Sequence, residues 1–131
     1  MNSDKQHVQN EIHKRQLTSI LNHTKWQRLQ KTVIEELSFP PAFQIKRVLD
    51  PNPYPEKFYE DVWYWGDWNE GLYPFYSIEW IRVRPKYIRR DLQTNHLIDI
   101  TEVFLEKLQQ LQIPFVREKD SVVIYGYVEN M

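Results

Sequence analysis

The sequence predicts an α+β domain: a mainly antiparallel sheet of about five strands with helices packed on one face. Three observations predict it. Two segments repeat apolar residues at helical spacing, several short stretches rich in aromatic and β-branched residues alternate between turn signals, and hairpin-like connections outnumber possible crossovers. A chain of 131 residues is the size of one domain, and it can bury a core without a metal or a crosslink.

The stretch up to Leu21 is polar. Val8 and Ile12 lie four apart, but the stripe lapses before Leu17, Ile20 and Leu21 resume it. Residues 1–21 therefore read as a polar extension or frayed helix, with the first ten dispensable for folding, and residues 22–131 as the domain proper. A firmer helix follows, capped by Asn22 or Thr24, with Trp26, Leu29, Val33 and Leu37 on one face. Pro40-Pro41 ends it, because proline lacks a donor and restricts the preceding residue.

Phe43-Gln44-Ile45-Lys46 alternates like a half-buried strand. Residues 50–55 carry three prolines and read as a loop. Two aromatic strands are expected next, at about 62–68 and 76–84, joined as a hairpin through Asn69-Glu70-Gly71-Leu72-Tyr73-Pro74. In the second strand, alternation places Glu79 with Ile81 and Val83, and Ile78 with Trp80, Arg82 and Arg84. A helix over about 100–112 is signalled by Asp99 and Glu102 at capping-box spacing and by Ile100, Val103, Phe104, Leu108 and Leu111 on one face, widened by Leu105. After Pro114, Phe115–Arg117 and Val122–Tyr127 flank a polar turn and form a closing hairpin. The expected order is α-α-β-β-β-α-β-β.

Composition narrows function mainly by exclusion. There is no cysteine, which removes disulfides, thiolate zinc sites and thiol nucleophiles together. The polar start and the lack of any apolar run near the ~18 residues of a membrane helix predict a soluble, cytoplasmic chain. The three glycines cannot build a phosphate-binding loop, and no serine stands in a nucleophile-elbow sequence. His7, His13 and His23 are spaced six and ten apart, not as a helical metal pair, and His96 is remote. Glu60-Asp61 and Asp67 with Glu70 lack the pattern of a calcium loop. Glu79, on a face expected to be buried, suits a salt bridge to an arginine better than catalysis. No catalytic residue, cofactor or metal is therefore expected.

The net charge of −1 hides a strong pattern. Residues 1–47 carry +4, residues 48–81 carry −6, residues 82–90 carry +5 and residues 91–131 carry −4. Aromatic residues make up 15% of the chain, and they concentrate in the acidic block from Phe58 to Tyr73. Alternation sends Trp63 and Trp65 to one side of a strand and Trp68 to the other. Three tryptophans in six positions exceed what one sheet face buries, so either helices cover both faces and all three rings are core, or one side, which alternation leaves open, is a partner surface. Tryptophan anchors protein interfaces, and surrounding acids steer a basic partner. Asp61, Trp65, Asp67, Trp68 and Glu70 are thus the candidate partner-binding residues. The basic block, with Arg82, Arg84, Lys86, Arg89 and Arg90, could track phosphates beside Trp80, or simply be a charged strand edge.

Ser77–Val83, Leu111–Phe115 and Val123–Tyr127, together with the Trp26 helix, resemble a family of small bacterial proteins classed as a domain of unknown function. The resemblance spans residues 24–127, implies a bacterial α+β domain and carries over no catalytic residue. The acidic aromatic surface is also similar in style to toxin-immunity proteins. The expected function is a non-enzymatic protein-binding domain, in its most concrete form an immunity-type protein that neutralises a basic toxin. The alternatives are a nucleic-acid-associated protein using residues 82–90 and an enzyme.

Overall fold

A computed structural model describes residues 2–58 and 64–130. Its elements run α1 (Asn2–Arg15), β1 (Leu17–Ser19), α2 (His23–Glu36), β2 (Ala42–Arg47), a 3-10 turn (Phe75–Ser77), β3 (Ile78–Arg84), β4 (Lys86–Arg90), β5 (Asn95–Asp99), α3 (Thr101–Gln110), β6 (Val116–Arg117), β7 (Val122–Tyr125) and β8 (Tyr127–Glu129). The fold is α+β, and every strand pair is antiparallel. The main sheet has four strands in the order β2-β3-β7-β6, and β1-β8 and β4-β5 form two further two-stranded sheets.

Asn22 caps α2 by accepting the Lys25 N–H, which satisfies one of the four donors a helix start leaves open. Trp26, Leu29 and Val33 then face the sheet, as their spacing predicts. Asp99 acts from one position earlier than a capping box requires: its Oδ1 accepts both the Thr101 N–H and the Thr101 hydroxyl, while Ile100 occupies the cap position. Phe104, Leu105 and Leu108 of α3 are buried, whereas Val103 is exposed. α2 and α3 cover one face of the main sheet, where Phe43, Val83 and Val122 form one cross-strand row and Ile45, Ile81 and Ile124 the next.

A β-bulge alters the side chains of β3. Lys46 pairs with Trp80 but Arg47 pairs with Ile78, so Glu79 is the extra residue. The added residue returns Ile78 to the core with Ile81 and Val83, and it moves Glu79 off the face that simple alternation gives it. Glu79 instead meets Arg15 and Lys46.

Residues 1–21 contribute α1 and β1, which close onto the other end of the chain. Val8 is 1% exposed and packs with Leu17 and Val48, against Ile12, Tyr76 and Tyr127. β1 pairs with β8. The chain passes from β7 to β8 through Gly126, where an added Cβ would lie 2.2 Å from the Ile78 carbonyl oxygen. Only glycine allows that approach. The Gly126 N–H bonds to the Glu79 oxygen, and its own oxygen accepts from Ile20 and Leu21.

Two expectations need correction. Residues 64–68 are not part of a strand, and 62–63 lie outside the described residues; among the described residues no aromatic hairpin spans the Asn69–Pro74 connection. The segment is held instead by non-repeating bonds: Gly66 N–H to the Pro40 oxygen, and the Trp68 indole N–H to the Pro41 oxygen at 2.7 Å. Second, the sequence gives no warning of the β4-β5 hairpin. Its turn is built by one side chain, Asp91, whose Oδ1 accepts the N–H groups of Gln93 and Thr94.

Candidate functional site

The expected partner-binding residues that the structure describes fall in two different environments. Trp65 is 51% exposed and Asp67 and Glu70 are exposed, so these three share an accessible loop. Trp68 is 1% exposed and belongs to the core, packed edge-on against Phe43 at 5.1 Å. It is removed from the candidate surface, because a side chain with both its ring and its N–H satisfied inside cannot reach a partner. Asp61 lies outside the described residues.

The loop that carries Trp65 is tightly fixed. Gln30, buried on α2, donates through Nε2 to the Trp68 oxygen at 2.7 Å and the Asn69 oxygen at 3.0 Å. Its Oε1 accepts from the Tyr73 hydroxyl at 3.1 Å. Asp67 accepts the Glu70 N–H on Oδ1, and the Gly71 N–H bonds to the Asp67 oxygen, closing a turn. Arg47 reaches from β2 to the carbonyls of Gly71, Tyr73 and Pro74 and to the Ser77 hydroxyl. Burial lowers the Arg47 pKa, an effect only partly offset by Asp50 and Asp4. A guanidinium spent on four acceptors anchors backbone.

Trp65 itself sits in a three-ring cluster. Its ring is 4.8 Å from Tyr87 at 81° and 5.5 Å from Phe39 at 35°, and Phe39 and Tyr87 are 4.7 Å apart at 73°. Edge-to-face contacts of this kind add about 0.5–1.5 kcal/mol each beyond buried area. Phe39 follows α2 and Tyr87 lies in β4, so two separate elements hold one exposed indole. Neither residue stood out in the sequence as a partner of Trp65, because the three are brought together only by the fold.

The basic block does not form one stripe. Arg82 gives Nε to Glu118 at 2.9 Å and Nη1 to Gln44 at 2.5 Å, and Lys86 meets Asp120 at 2.7 Å. Arg84 is buried, with its guanidinium over the Phe58 ring. Arg89 and Arg90 are exposed on β4. A cleft of ≈ 430 Å³ lies among Gln44, Arg82, Arg84, Glu118 and Asp120, so its cations are set among carboxylates.

Two groupings invite comparison with acid–base sites. Glu79 is bound at both oxygens by Arg15 at 2.9 Å and again by Lys46 at 3.1 Å. Burial pushes its carboxyl up, but the hydrogen bonds and charges of Arg15 and Lys46 outweigh that and hold it below the usual carboxylate value. A carboxylate held this way is a poor proton acceptor near neutrality. The salt bridge to an arginine that its sequence position suggests is present. At the β4-β5 turn, His96 Nε2 contacts both Thr94 Oγ1 at 2.8 Å and Asp91 Oδ2 at 3.1 Å. Both contacts fall on one ring nitrogen, so the imidazole does not bridge hydroxyl and carboxylate as a relay requires.

A model of a family of unknown function, DUF6678, matches residues 8–131. The chain belongs to this family. No curated protein and no solved structure matches it significantly. The match begins at Val8, so it takes in the apolar contacts of α1 with Leu17, Val48 and Tyr127 as well as the Trp65 loop. Among the described residues, no helix is long and apolar enough to cross a membrane.

Proposed function

We propose that this chain is a non-enzymatic protein-binding domain whose contact surface is centred on Trp65 and rimmed by Asp67 and Glu70. One observation carries the reading: a half-exposed tryptophan whose ring is immobilised by Phe39 and Tyr87. An exposed indole fixed before binding loses little conformational entropy on contact, which is the property of an interface anchor. The acidic rim favours a partner with a basic contact surface and speeds its approach. Neutralisation of a basic toxin in the cytoplasm is the concrete form this reading takes.

The test is capture of partners from lysate on the immobilised chain, followed by binding kinetics of the captured protein. Trp65→Ala is expected to weaken binding by at least ~2 kcal/mol with the fold unchanged. Asp67→Lys is expected to slow association, most at low salt. Equal capture by the native chain and both variants would count against the reading.

A further inference from the structure

Hydrogen-bond parity fixes which backbone groups of β5 face outward. The Asp91 N–H bonds to the Thr94 oxygen, and the Ile100 N–H bonds to the Pro85 oxygen. With the register Lys86↔Asp99 to Arg90↔Asn95, these two bonds place the hydrogen-bonded pairs at His96 and Ile98 of β5. In an antiparallel pair such positions alternate with pairs whose N–H and C=O point away from the partner. The N–H and C=O groups of Asn95, Leu97 and Asp99 therefore line the outer edge of β5, and no backbone group pairs with them among the described residues.

The other strand edges are short, covered or charged: β4 is as long as β5, but its outward positions include Lys86 and Arg90, cations that discourage pairing. β6 has two residues, β1 and β8 have three each, and Ile45 at the outer edge of β2 exchanges two bonds with Tyr54 at 2.8 Å. β5 has five residues with no proline, glycine or lysine and no bulge. It presents Leu97 at 61% exposure. An edge without any such protection is a template for another strand.

We propose that this edge is self-complementary and that its partner is a second copy of this chain. A two-fold axis through Leu97 sets Leu97 opposite Leu97 and Asn95 opposite Asp99 of the other copy. This register alone engages all three outward residues of both strands, and each pair exchanges two N–H···O bonds. The side chains agree with it. Asn95, Leu97 and Asp99 share one face of the hairpin with Arg90, Ile88 and Lys86, their β4 partners. The two Leu97 side chains meet between the two Ile88 residues, and each Asp99 meets an amide, with Arg90 one strand beyond. Asp99 Oδ1 is occupied by Thr101, while Oδ2 has no hydrogen bond among the described residues and is left to accept from the incoming Asn95 amide. The contact is isologous and closes on itself, so it forms dimers and not fibres.

The chain has no cysteine, so a single introduced thiol reports the register. Leu97→Cys would place two Cα atoms about 5.5 Å apart, within disulfide range. His96→Cys would place them roughly 7–8 Å apart on a diagonal, outside it. Mild oxidation is expected to crosslink Leu97→Cys and leave His96→Cys uncrosslinked. Sedimentation of the native chain is expected to show a concentration-dependent dimer. Leu97→Pro removes an outward N–H without breaking a bond inside the hairpin, and should sediment as a monomer with an unchanged circular dichroism spectrum. Asn95→Asp sets like charges opposite each other twice and should weaken association on the order of tenfold. Adding Asp99→Asn should restore it. A native chain that stays monomeric at every concentration overturns the proposal, as does a dimer that survives Leu97→Pro or crosslinking of His96→Cys at the rate of Leu97→Cys.

Discussion

Arg15, the last residue of α1, holds both carboxylate oxygens of Glu79 at the β3 bulge, each at 2.9 Å. The pair ties the amino-terminal helix to the strand at the centre of the fold, and Lys46 of β2 completes it. Two cations offset the burial of one carboxylate, and the bulge is what turns Glu79 toward them.

The pair sets a pH dependence with a definite sign. The Glu79 pKa is lowered from 4.5 in the folded chain, so its contribution to stability is fully present above about pH 4.5 and is lost as pH falls through the folded value. Glu79→Gln should cost about 2 kcal/mol at pH 7, since it leaves two partly buried cations short of a partner. Urea unfolding at pH 7 and at pH 3 checks this: the gap between native chain and variant should narrow in acid. A constant gap would mean that the loss comes from packing and not from charge.

α1 makes a second, apolar attachment. The polar composition of residues 1–10 suggests that they can be removed, yet Val8 is buried against Leu17 and Val48. Val8→Ala should cost about 1–2 kcal/mol. Deleting residues 2–10 should lower the thermal midpoint by more than the roughly 5 °C that corresponds to 1 kcal/mol in a chain of this size. An unchanged midpoint in the deletion would show that α1 does not contribute to the fold.

The contrast between α1 and α2 shows what the sequence could reveal. Asn22, Trp26, Leu29 and Val33 declare α2 because cap and stripe are local, and Pro114 and the 118–121 turn declare the closing hairpin in the same way. α1 is stabilised by contacts with residues far along the chain, Glu79 and Tyr127 among them, so its own composition is misleading. The bulge at Glu79 depends on the partner strand and reverses the phase of two side chains. In the acidic aromatic block, Trp65 and Trp68 lie in a segment, 64–68, that forms no strand, so alternation does not decide between them. Asp67 and Glu70 were legible as surface acids; Phe39 and Tyr87 were not legible as the supports of Trp65.

Gly126 tests the join between the main sheet and the β1-β8 pair. A Cβ there would lie 2.2 Å from the Ile78 oxygen and 3.4 Å from the Trp26 ring. The oxygen is backbone and belongs to the bulged strand, so it has little room to retreat. Gly126→Ala should destabilise the chain by at least ~2 kcal/mol, read as a shift of the urea midpoint with little change in slope. A neutral result would place the β7-β8 passage under far less constraint than the close approach implies.

Trp65 and Trp68 lie three positions apart, and the fold gives them opposite tasks. Trp68 is closed off by Phe43 and bonded to the Pro41 oxygen. Its replacement by alanine leaves a large cavity and an unpaired carbonyl, at a cost of about 3–5 kcal/mol. Trp65 keeps half its surface in solvent, so Trp65→Ala forfeits one edge-on contact to Tyr87 and one tilted contact to Phe39 and should cost only about 1 kcal/mol. Denaturation of the two variants side by side gives the stability difference directly. Iodide quenching supplies an independent reading, because the accessible share of tryptophan emission should fall in Trp65→Ala. Equal destabilisation by the two substitutions would mean that Trp65 is a core residue in solution, and the surface proposed for partner binding would lose its anchor.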